Sequence, residues 1–588
     1  MAIGFDRGAI ETNALLECGL QLCRRDGHRF QCSQYIREPQ ANEANIAFLN
    51  GSERKFLLFV HSTPSFQTDV TARVNRRYVD TASIYGRNPH GTPYKHELCL
   101  PARYCASMSD GNLVESSEAH PMFDMSAWTE FKNPEDRTNA GLKLRERFPL
   151  SSHAVWRVQT KRRDVIGLLE EQNKMRVPDL VPLRFKRMSA NAFTFYRGGA
   201  AIMANDLART PTTCIPVQCI GDAHIGNFGI FYSPSKRLVF DINDFDETAT
   251  GPWEWDIKRL AVSVEIAGRN IGLKEKERHD AVYRCVKQYR ETLREFSQMG
   301  FLNTWYTHFD VEDSLAHLEK AMKAKPSKTL HGAIAKARSK DSKKAANKLT
   351  YLDGNRLRFK TEPPELVQIN DIRGYEDIDA LRGRLRQLFD TYRDSLYEDR
   401  RHVLEQYHYQ DTARKVVGVG SVGTRCWISA FIGRDIDDPL ILQMKEAVAS
   451  VLAKYVGHSP YSTHGERVIQ GQKLVQSTAD ILLGWSQFVA NDGLPRDYYV
   501  RQLWNGKGSI DLDTLHADSL SNLGSLCAWC LAHAHARSGD SVAISGYLGD
   551  SDEFETAMMS FCDSYADQNE DDFELFTQLI ASGELPCA

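Results

Sequence analysis

The sequence of 588 residues predicts an α+β fold, because two groups of β-rich segments alternate with longer segments of helical periodicity. The first group surrounds the turn SPSK at residues 233–236, and the second begins near residue 411. Runs 200–209 and 523–537 are typical of helices. With 42% hydrophobic and 26% charged residues, the chain has enough apolar mass for two or three domains.

An acidic hairpin in the first β-rich group carries the polar groups that indicate chemistry. Asp222, His224 and Asn227 follow a strand-like run, so we expect them in a tight loop at the end of that strand. The hairpin then returns Asp244 and Asp246 to the neighbourhood of Asp222. Carboxylate and amide oxygens suit Mg²⁺, so Asn227, Asp244 and Asp246 are the candidate metal ligands, with Asp241 as the fallback for Asp244. Asp222 is the carboxylate that can orient an attacking hydroxyl, and His224 is a second candidate catalytic residue. Each residue alone is also an ordinary turn residue, and it is the combination that indicates a site.

The motifs GDAHIGN and NDFDE resemble the catalytic and metal-binding loops of the aminoglycoside phosphotransferase and choline kinase group of protein-kinase-like enzymes. The resemblance implies that Asp222 is the catalytic base and that Asn227 and Asp244 bind the metal. The leading histidine of that group is replaced by Ile220. In the segment GPWEWDIKRLAV, the resemblance makes Asp256 a helix carboxylate that supports the catalytic loop. An exposed acid at a helix N-terminus is the alternative for Asp256.

A longer stretch of the chain resembles an uncharacterised bacterial family known as domain of unknown function 2252. The motifs that carry this resemblance include LVPLRFKRM, FTFYRGGAAIMANDLA, VGVGSVGTR, YYVRQL and LAHAHARSGD. The resemblance extends over about three quarters of the chain, from near Gly141 onward. This family brings no established activity, so the reaction has to be argued from the residues.

A glycine-rich segment, VVGVGSVGTRCWISAFI, places Gly418, Gly420 and Gly423 in the spacing G-x-G-x-x-G between two β-rich runs. Glycines let backbone amides approach phosphate oxygens, although a hairpin turn also uses glycines for its own geometry. The next strand-like run ends at Lys445, and the order strand, glycine loop, strand, lysine strand is that of a kinase small lobe. We therefore expect these residues to bind nucleotide phosphates; a solvated strand-end lysine is the alternative.

Two further residues are candidates for the same nucleotide site. Glu466, near the start of a helix expected at residues 465–480, is the candidate acid to pair with Lys445, although acids are common at helix starts. Arg197 precedes a helical run that leads towards the catalytic loop, and it is a candidate phosphate contact. A capping or ion-pairing role is the alternative for this arginine.

The catalytic and metal-binding loops precede the glycine loop and the lysine, so a protein-kinase-like two-lobe fold would be circularly permuted or rearranged. We expect an N-terminal accessory region of unknown role, a large-lobe segment, a basic helical insert, a small-lobe segment and a C-terminal helical segment. These parts span residues 1–137, 138–330, 331–410, 411–510 and 511–588.

The composition makes some partners and locations unexpected. The formal net charge of -4 gives no general reason to expect nucleic acid or an anionic membrane as a partner. Residues 323–348 hold nine Lys or Arg and one acid, which indicates a solvated helical insert rather than a polyanion-binding surface. No run approaches the roughly 18 apolar residues of a membrane span. Scattered cysteines and an N-terminus unlike a signal peptide favour a cytoplasmic location.

The sequence therefore predicts a phosphotransferase that uses ATP and Mg²⁺ and acts on an unidentified hydroxyl acceptor. Nucleotidyl transfer would need the same residues with the nucleotide in a flipped orientation. The first alternative is a kinase-fold nucleotide-binding or regulatory protein without turnover, which the missing histidine favours. The second is a metal-dependent hydrolase that uses Asp222, His224, Asp241 and Asp244, and it leaves Lys445 without a role.

Overall fold

The computed structural model divides the chain into two compact units, Met1–Ser116 and Ser117–Ala588. It describes residues 132–156, 164–313, 328–372, 378–489, 494–506, 508 and 510–588, together with strands of the first unit. Those strands are β1 (Arg25–Asp26), β2 (Arg29–Phe30), β3 (Asn45–Gly51), β4 (Arg54–Val60), β5 (Thr71–Val74), β6 (Thr81–Arg87) and β7 (Pro93–Cys99). Strand β1 pairs with β2, β3 pairs with β4, and β5–β6–β7 form a three-stranded sheet, all antiparallel.

The second unit mixes helices and strands, so the prediction of an α+β fold is confirmed. Its described helices are α1 (Pro134–Arg147), α2 (Val165–Asn173), α3 (Val181–Met188), α4 (Ala192–Gly198), α5 (Ala200–Leu207), α6 (Trp253–Asn270), α7 (Glu275–Ser297), α8 (Phe301–Tyr306), α9 (Lys328–Arg338), α10 (Ser342–Leu349), α11 (Ile378–Asp394), α12 (Glu398–Glu405), α13 (Ala453–Val456), α14 (His464–Val475), α15 (Ala517–Ser538), α16 (Ser541–Leu548) and α17 (Glu553–Ala581). Among the described residues, no helix combines the length and the apolar character that crossing a membrane requires.

The strands of the second unit are β8 (Pro216–Cys219), β9 (Phe228–Tyr232), β10 (Leu238–Ile242), β11 (Ala249–Pro252), β12 (Phe309–Asp310), β13 (Thr350–Asp353), β14 (Arg356–Phe359), β15 (Leu366–Gln368), β16 (His408–Lys415), β17 (Cys426–Ile432), β18 (Pro439–Ala447), β19 (Gly484–Val489) and β20 (Pro495–Gln502). Residues 314–327, which include the start of the predicted basic segment, lie outside the described residues. Helices α9 and α10 form the described remainder of that segment.

A six-stranded antiparallel sheet has the strand order β15–β16–β17–β18–β20–β19. Strands β17 and β18 are buried almost throughout because both faces of the sheet are covered. On one face, Leu388 of α11 packs with Leu442 and Met444 of β18. On the other face, Ala346 of α10 packs with Ile441 of β18. Helix α14 connects β18 to β19.

Helix α6 is buried continuously from Trp253 to Gly268, within the largest hydrophobic core of the second unit. Helices α7, α15 and α17 contribute to the same core. The buried part of α6 nevertheless contains charged residues, among them Asp256 and Arg259. A buried charge is costly unless it is paired and hydrogen-bonded, so these two residues need partners inside the protein.

The acidic hairpin folds as the sequence predicts, with strands β9 and β10 joined by the turn at residues 233–236. Cys219 of β8 pairs with Ala249 of β11, and Phe228 of β9 pairs with Ile242 of β10. Two loops, residues 220–227 and 243–248, are therefore fixed side by side, because paired strands bracket both of their ends. We call them the Asp222 loop and the acidic loop.

Candidate functional site

A buried carboxylate from helix α6 holds the Asp222 loop. Asp256 is 1% exposed, and its Oδ2 and Oδ1 atoms accept hydrogen bonds from the backbone N–H groups of Ile220 (2.6 Å) and Gly221 (2.9 Å). A carboxylate that accepts two backbone N–H bonds fixes both position and orientation of the loop. Asp256 thus contacts the loop backbone in the way that the resemblance implies, and it is not an exposed helix acid.

Asp256 has a further partner from the C-terminal part of the chain. His535 on α15 places its Nε2 atom 3.3 Å from Asp256 Oδ2, and its Nδ1 atom lies 2.7 Å from the hydroxyl of Tyr289. All three side chains are buried. Ile220 itself offers no polar side chain, and the imidazole beside Asp256 comes from helix α15.

Gly221 allows the Asp222 loop and the acidic loop to approach closely. Its φ of +78° lies in the left-handed region, which side chains other than glycine adopt at a cost. A Cβ atom at this position would also clash with the backbone carbonyl of Glu247 in the acidic loop. The glycine is therefore required by both the turn and the contact.

Asp222 is paired with an arginine that the sequence analysis did not identify. Arg259 donates from Nε (3.0 Å) and Nη2 (2.8 Å) to Oδ1 of Asp222, and the arginine side chain is 3% exposed. Its guanidinium lies 3.8 Å from the ring centroid of Tyr196, and Nη2 also donates to the Tyr196 carbonyl (2.8 Å). The available signal was the i, i+3 spacing from Asp256, which places both residues on one face of α6.

Asn227 contacts the same loop from its other end. Its Nδ2 atom donates to the backbone carbonyl of Asp222 (2.9 Å) and lies 3.4 Å from Asp222 Oδ2. Because Nδ2 faces Asp222, the amide oxygen of Asn227 is the atom left for a cation. Its backbone carbonyl accepts from the N–H of Asn243, which ties the loop to the start of the acidic loop (2.9 Å).

His224 is a neutral, buried residue of the Asp222 loop. Burial, together with Arg197 and Arg259, holds the pKa of His224 well below its usual value. Its Nδ1 atom accepts from the backbone N–H of Gly226 (3.1 Å), so the remaining proton belongs on Nε2, 3.8 Å from Asp222 Oδ2. This arrangement caps the short turn that follows and places no charge on the imidazole.

Asp244 and Asp241, the two candidates for the main carboxylate ligand of the metal, lie in different surroundings. Burial and the nearby Asp246 raise the pKa of Asp244, against the opposing effect of Lys445. Asp241 lies in strand β10, directly before the acidic loop. Burial raises the pKa of Asp241 to about 7, and Arg537 is the charged group that opposes this shift. Asp244 therefore belongs to the site, whereas the Asp241 carboxylate of the hydrolase alternative has a different environment.

Lys445 and the acidic loop meet, although they are far apart in the sequence. The Nζ atom of Lys445 forms an ion pair with Asp246, 199 positions away, and donates to the hydroxyl of Ser421 (2.9 Å). Burial alone would lower the pKa of Lys445, but Asp246 and neighbouring groups raise it overall. Lys445 is 2% exposed and is not a solvated strand-end lysine.

Strand β20 adds two residues that sequence reasoning missed. Tyr499 pairs across the sheet with Lys445, and Arg501 pairs with Gln443, so both side chains share the face of Lys445. The Tyr499 hydroxyl donates to Asp246 Oδ1 (2.7 Å), and Arg501 Nη1 donates to the carbonyl of Asn243 (3.2 Å). The alternation of side chains along the motif YYVRQL puts Tyr499 and Arg501 on one face of the strand. Only the strand register shows that Lys445 lies on the same face.

The glycine loop connects β16 to β17, as the sequence predicts. Ser421 lies within this loop, and its hydroxyl accepts the hydrogen bond from Lys445. Gly418 and Gly423 have positive φ values of +71° and +93°, and the backbone carbonyl of Gly423 accepts from Val177 N–H (2.8 Å). A Cβ atom at Gly420 would lie 3.1 Å from the carbonyl of Arg197, so this part of the loop packs on helix α4.

Arg197 lies at the end of α4 between the glycine loop and the Asp222 loop. Burial lowers its pKa, while Asp222 and Asp244 act in the opposite direction. Its Nε atom is buried and has no hydrogen-bond partner among the described residues. A guanidinium in this state is a candidate to bind an added anion.

Glu466 is not the partner of Lys445, which corrects the expectation from the sequence. Its carboxylate accepts from the hydroxyl and the backbone N–H of Ser462 (2.8 and 3.3 Å) at the start of α14. The next residue, Arg467, is the one that α14 directs towards the site. The sequence alternative, an acid at a helix start, describes Glu466 correctly.

The described residues do not form a complete metal cage by themselves. Within the described ranges, no three His, Cys, Asp or Glu side chains are arranged to hold a metal ion. Mg²⁺ is commonly bound by one or two carboxylates together with substrate phosphates and water, so Asp244 and Asn227 would supply only the protein part of such a site.

The family model described as "Uncharacterized protein conserved in bacteria (DUF2252)" matches residues 176–579. This match covers more than half of the chain, so the protein belongs to that family, and the expected resemblance is confirmed. The matched range contains all of the site residues described above. Comparisons with curated proteins and with solved structures find no match. The resemblance to protein-kinase-like enzymes stays a prediction.

Proposed function

We propose that this protein is an ATP- and Mg²⁺-dependent phosphotransferase that acts on a hydroxyl group. We propose also that its fold is a protein-kinase-like two-lobe fold with a rearranged lobe order. The observation that supports both proposals best is the ion pair between Lys445 and Asp246. It joins the lysine strand and the glycine-loop residue Ser421 to the acidic loop, as one nucleotide site would require.

The phosphate groups of ATP would be bound by cations from three separate elements. Lys445 comes from β18, Arg501 from β20 and Arg197 from α4, and each of them is electrostatically coupled to Asp244. Charge-assisted hydrogen bonds from guanidinium and ammonium groups are the strong interactions that phosphate recognition uses. Glycine-loop amides would complete the contacts with phosphate oxygens.

The residues around Asp244 fit a magnesium ion. Burial and Asp246 raise the pKa of Asp244, which means that the ionised carboxylate lacks a sufficient counter-charge. A divalent cation would supply that charge, with the carboxylate of Asp244 and the amide oxygen of Asn227 as protein ligands. When bound, Mg²⁺ neutralises charge on the phosphates.

The acceptor hydroxyl would bind next to Asp222. Arg259 occupies Oδ1 of this carboxylate, whereas Oδ2 has only longer contacts, 3.4 Å to Asn227 Nδ2 and 3.8 Å to His224 Nε2, so Oδ2 is the oxygen that would face a substrate. In the transfer, the acceptor oxygen bonds to the γ-phosphorus and its proton passes to Asp222. The bond between the γ-phosphorus and the bridging oxygen breaks, and ADP leaves with the electron pair. Positioning and charge stabilisation provide most of the acceleration in such reactions.

A nucleotide-binding regulatory protein is the second candidate function. The ion pair with Arg259 and the contact with Asn227 already occupy Asp222, which favours a protein that binds nucleotide without turnover. The two candidates share the nucleotide site and differ in the role of Asp222.

Calorimetric titration of ATP with and without Mg²⁺ tests nucleotide binding. We expect Lys445→Met and Asp244→Asn to weaken the binding at least tenfold, and Asp244→Asn to remove its dependence on Mg²⁺. Lys454→Met is the matched control, because Lys454 is exposed and pairs with Glu171 at the surface. If the wild-type protein binds neither ATP nor GTP, the proposed function is wrong.

Asp222→Asn separates the two candidates. We expect the variant to bind ATP with Mg²⁺ within about threefold of the wild type, since Asp222 acts on the acceptor side. ADP release, or phosphate transfer to the protein detected by mass spectrometry, should fall at least a hundredfold. Binding without any turnover in the wild type, across a panel of hydroxyl acceptors, would instead identify the regulatory protein.

A further inference from the structure

The carboxylate of Asp246 is already fully engaged by side chains. Its Oδ2 atom contacts Lys445 Nζ and lies 3.4 Å from the hydroxyl of Ser421, and its Oδ1 atom accepts from Tyr499 (2.7 Å). The carboxylate of Asp244, in contrast, accepts a single hydrogen bond from the described residues, from Asp246 N–H at 3.4 Å. The sequence analysis counted both as metal ligands. The contacts divide them into one engaged and one available carboxylate.

Helix α14 holds the backbone of Asp246 rather than the lysine itself. Arg467 is 3% exposed, and its Nη2 atom donates to the backbone carbonyls of Asp246 (2.8 Å) and Val448 (2.9 Å). Its Nη1 atom donates to the carbonyl of Thr248 at the other end of the acidic loop. One guanidinium thereby fixes the acidic loop against the segment that follows strand β18.

We propose that Asp246 is the residue that positions Lys445 for phosphate binding, and that Arg467 is the residue that positions Asp246. The inference rests on the proposed phosphate-binding role of Lys445. The sequence predicts a direct contact between Lys445 and Glu466 of α14. In the structure, α14 instead reaches the lysine through two contacts, from Arg467 to Asp246 and from Asp246 to Lys445.

This arrangement places the phosphate-binding lysine and the metal ligand on the same support. Asp244 and Asp246 are two residues apart in one loop. Arg467 donates hydrogen bonds to two backbone carbonyls of that loop, those of Asp246 and Thr248. A displacement of the loop would move the lysine and the metal ligand together. The ligand class that requires such joint placement is a magnesium-bound oligophosphate, whose oxygens bind the metal and the ammonium group at once.

The binding of ATP, titrated with and without Mg²⁺, distinguishes a positioning residue from a metal ligand. We expect Asp246→Asn to weaken binding at least tenfold while the ratio of affinities with and without Mg²⁺ stays within twofold of the wild type. Arg467→Lys should weaken it at least fivefold and should also lower this ratio, because lysine cannot reach three carbonyls at once and the loop that carries Asp244 would shift together with Asp246. Glu466→Gln is the matched control at the neighbouring position of α14 and should change the affinity by less than twofold.

Two results of this titration would overturn the inference. Unchanged affinity in Asp246→Asn would show that Lys445 needs no positioning by this carboxylate. Loss of the Mg²⁺ dependence in Asp246→Asn, to the degree expected for Asp244→Asn, would show that Asp246 is a metal ligand after all.

A double-mutant cycle on stability tests the same ion pair without any nucleotide. Lys445→Met and Asp246→Asn each leave the charge of a buried partner uncompensated, so each should lower the free energy of unfolding. We expect the folding equilibrium constant of the double variant to be at least tenfold larger than the value that additive effects of the two single substitutions would give. Additive effects would overturn the inference. Strong coupling in a protein that fails to bind ATP would support the Asp246–Lys445 ion pair and would refute the proposed function alone.

Discussion

Replacing Asp256 with asparagine tests whether one buried carboxylate holds the Asp222 loop. The substitution keeps the shape of the side chain but turns one of its two oxygens into an NH₂ group. The wild-type oxygens accept from Ile220 N–H (2.6 Å) and Gly221 N–H (2.9 Å), so asparagine can satisfy one of these donors and must face the other with a donor of its own.

The expected cost follows from these two contacts. A hydrogen bond to a charged group contributes roughly 1.5–3 kcal/mol, and a buried donor left without a partner costs roughly 1–3 kcal/mol. We therefore expect Asp256→Asn to lower the free energy of unfolding by about 2–4 kcal/mol. An exposed acid in the first turn of a helix would lose only roughly 0.3–1 kcal/mol through the helix dipole.

Urea denaturation measures the global cost, and hydrogen exchange with mass spectrometry measures the local one. We expect faster exchange in peptides that contain Ile220 and Gly221. Asp518→Asn is the matched control, because Asp518 is an exposed acid in the first turn of α15. Equal effects of Asp256→Asn and Asp518→Asn on unfolding would refute the bracing role and would restore the interpretation of Asp256 as an ordinary helix acid.

Two further predictions concern the same two loops. Gly221→Ala should destabilise the protein by clearly more than Gly272→Ala in urea denaturation, because both glycines have a positive φ but only Gly221 would clash with a neighbouring carbonyl; the left-handed conformation alone costs alanine about 1–2 kcal/mol. The pKa of Asp241 is raised from 3.8 to about 7, so this carboxyl should contribute a decline in wild-type stability as pH rises through that interval, by at most about 4 kcal/mol. Glu247, whose pKa is also raised to about 7, contributes a decline of its own, so unfolding curves of Asp241→Asn across the interval should show a smaller decline than the wild type, and parallel curves would contradict the assignment.

Local patterns in the sequence were sufficient for the hairpin and for the strands on both sides of the glycine loop. Strands β9 and β10 occur at the residues where β-rich runs flank the turn, because alternation and turn chemistry are properties of neighbouring residues. The helix expected at residues 465–480 ends earlier, at Val475. Helix ends depend on capping and on tertiary contacts, and the chain turns here so that Gln476 can donate to the carbonyl of Ile242.

Partner choice within the site could not be predicted from local patterns. Glu466 and Arg467 are adjacent on α14, and helical periodicity alone does not say which of them faces the acidic loop. Likewise, the motif NDFDE contains two equivalent-looking carboxylates, and only the position of Lys445 in three dimensions engages Asp246 while it leaves Asp244 available. Arg259 was missed because its partner, Asp222, lies 37 positions earlier in the chain.

The rearranged lobe order that we propose for this fold would be compatible with the site, because the long-range contacts that build the site do not depend on chain direction. Asp256 and Arg467 act on backbone groups of the two loops, and Lys445 acts on a side chain. Each such contact requires only that two elements pack at the right place, and the joins between those elements lie elsewhere. Helix α6 anchors the Asp222 loop and helix α14 anchors the acidic loop, so catalytic geometry would depend on packing of both helices.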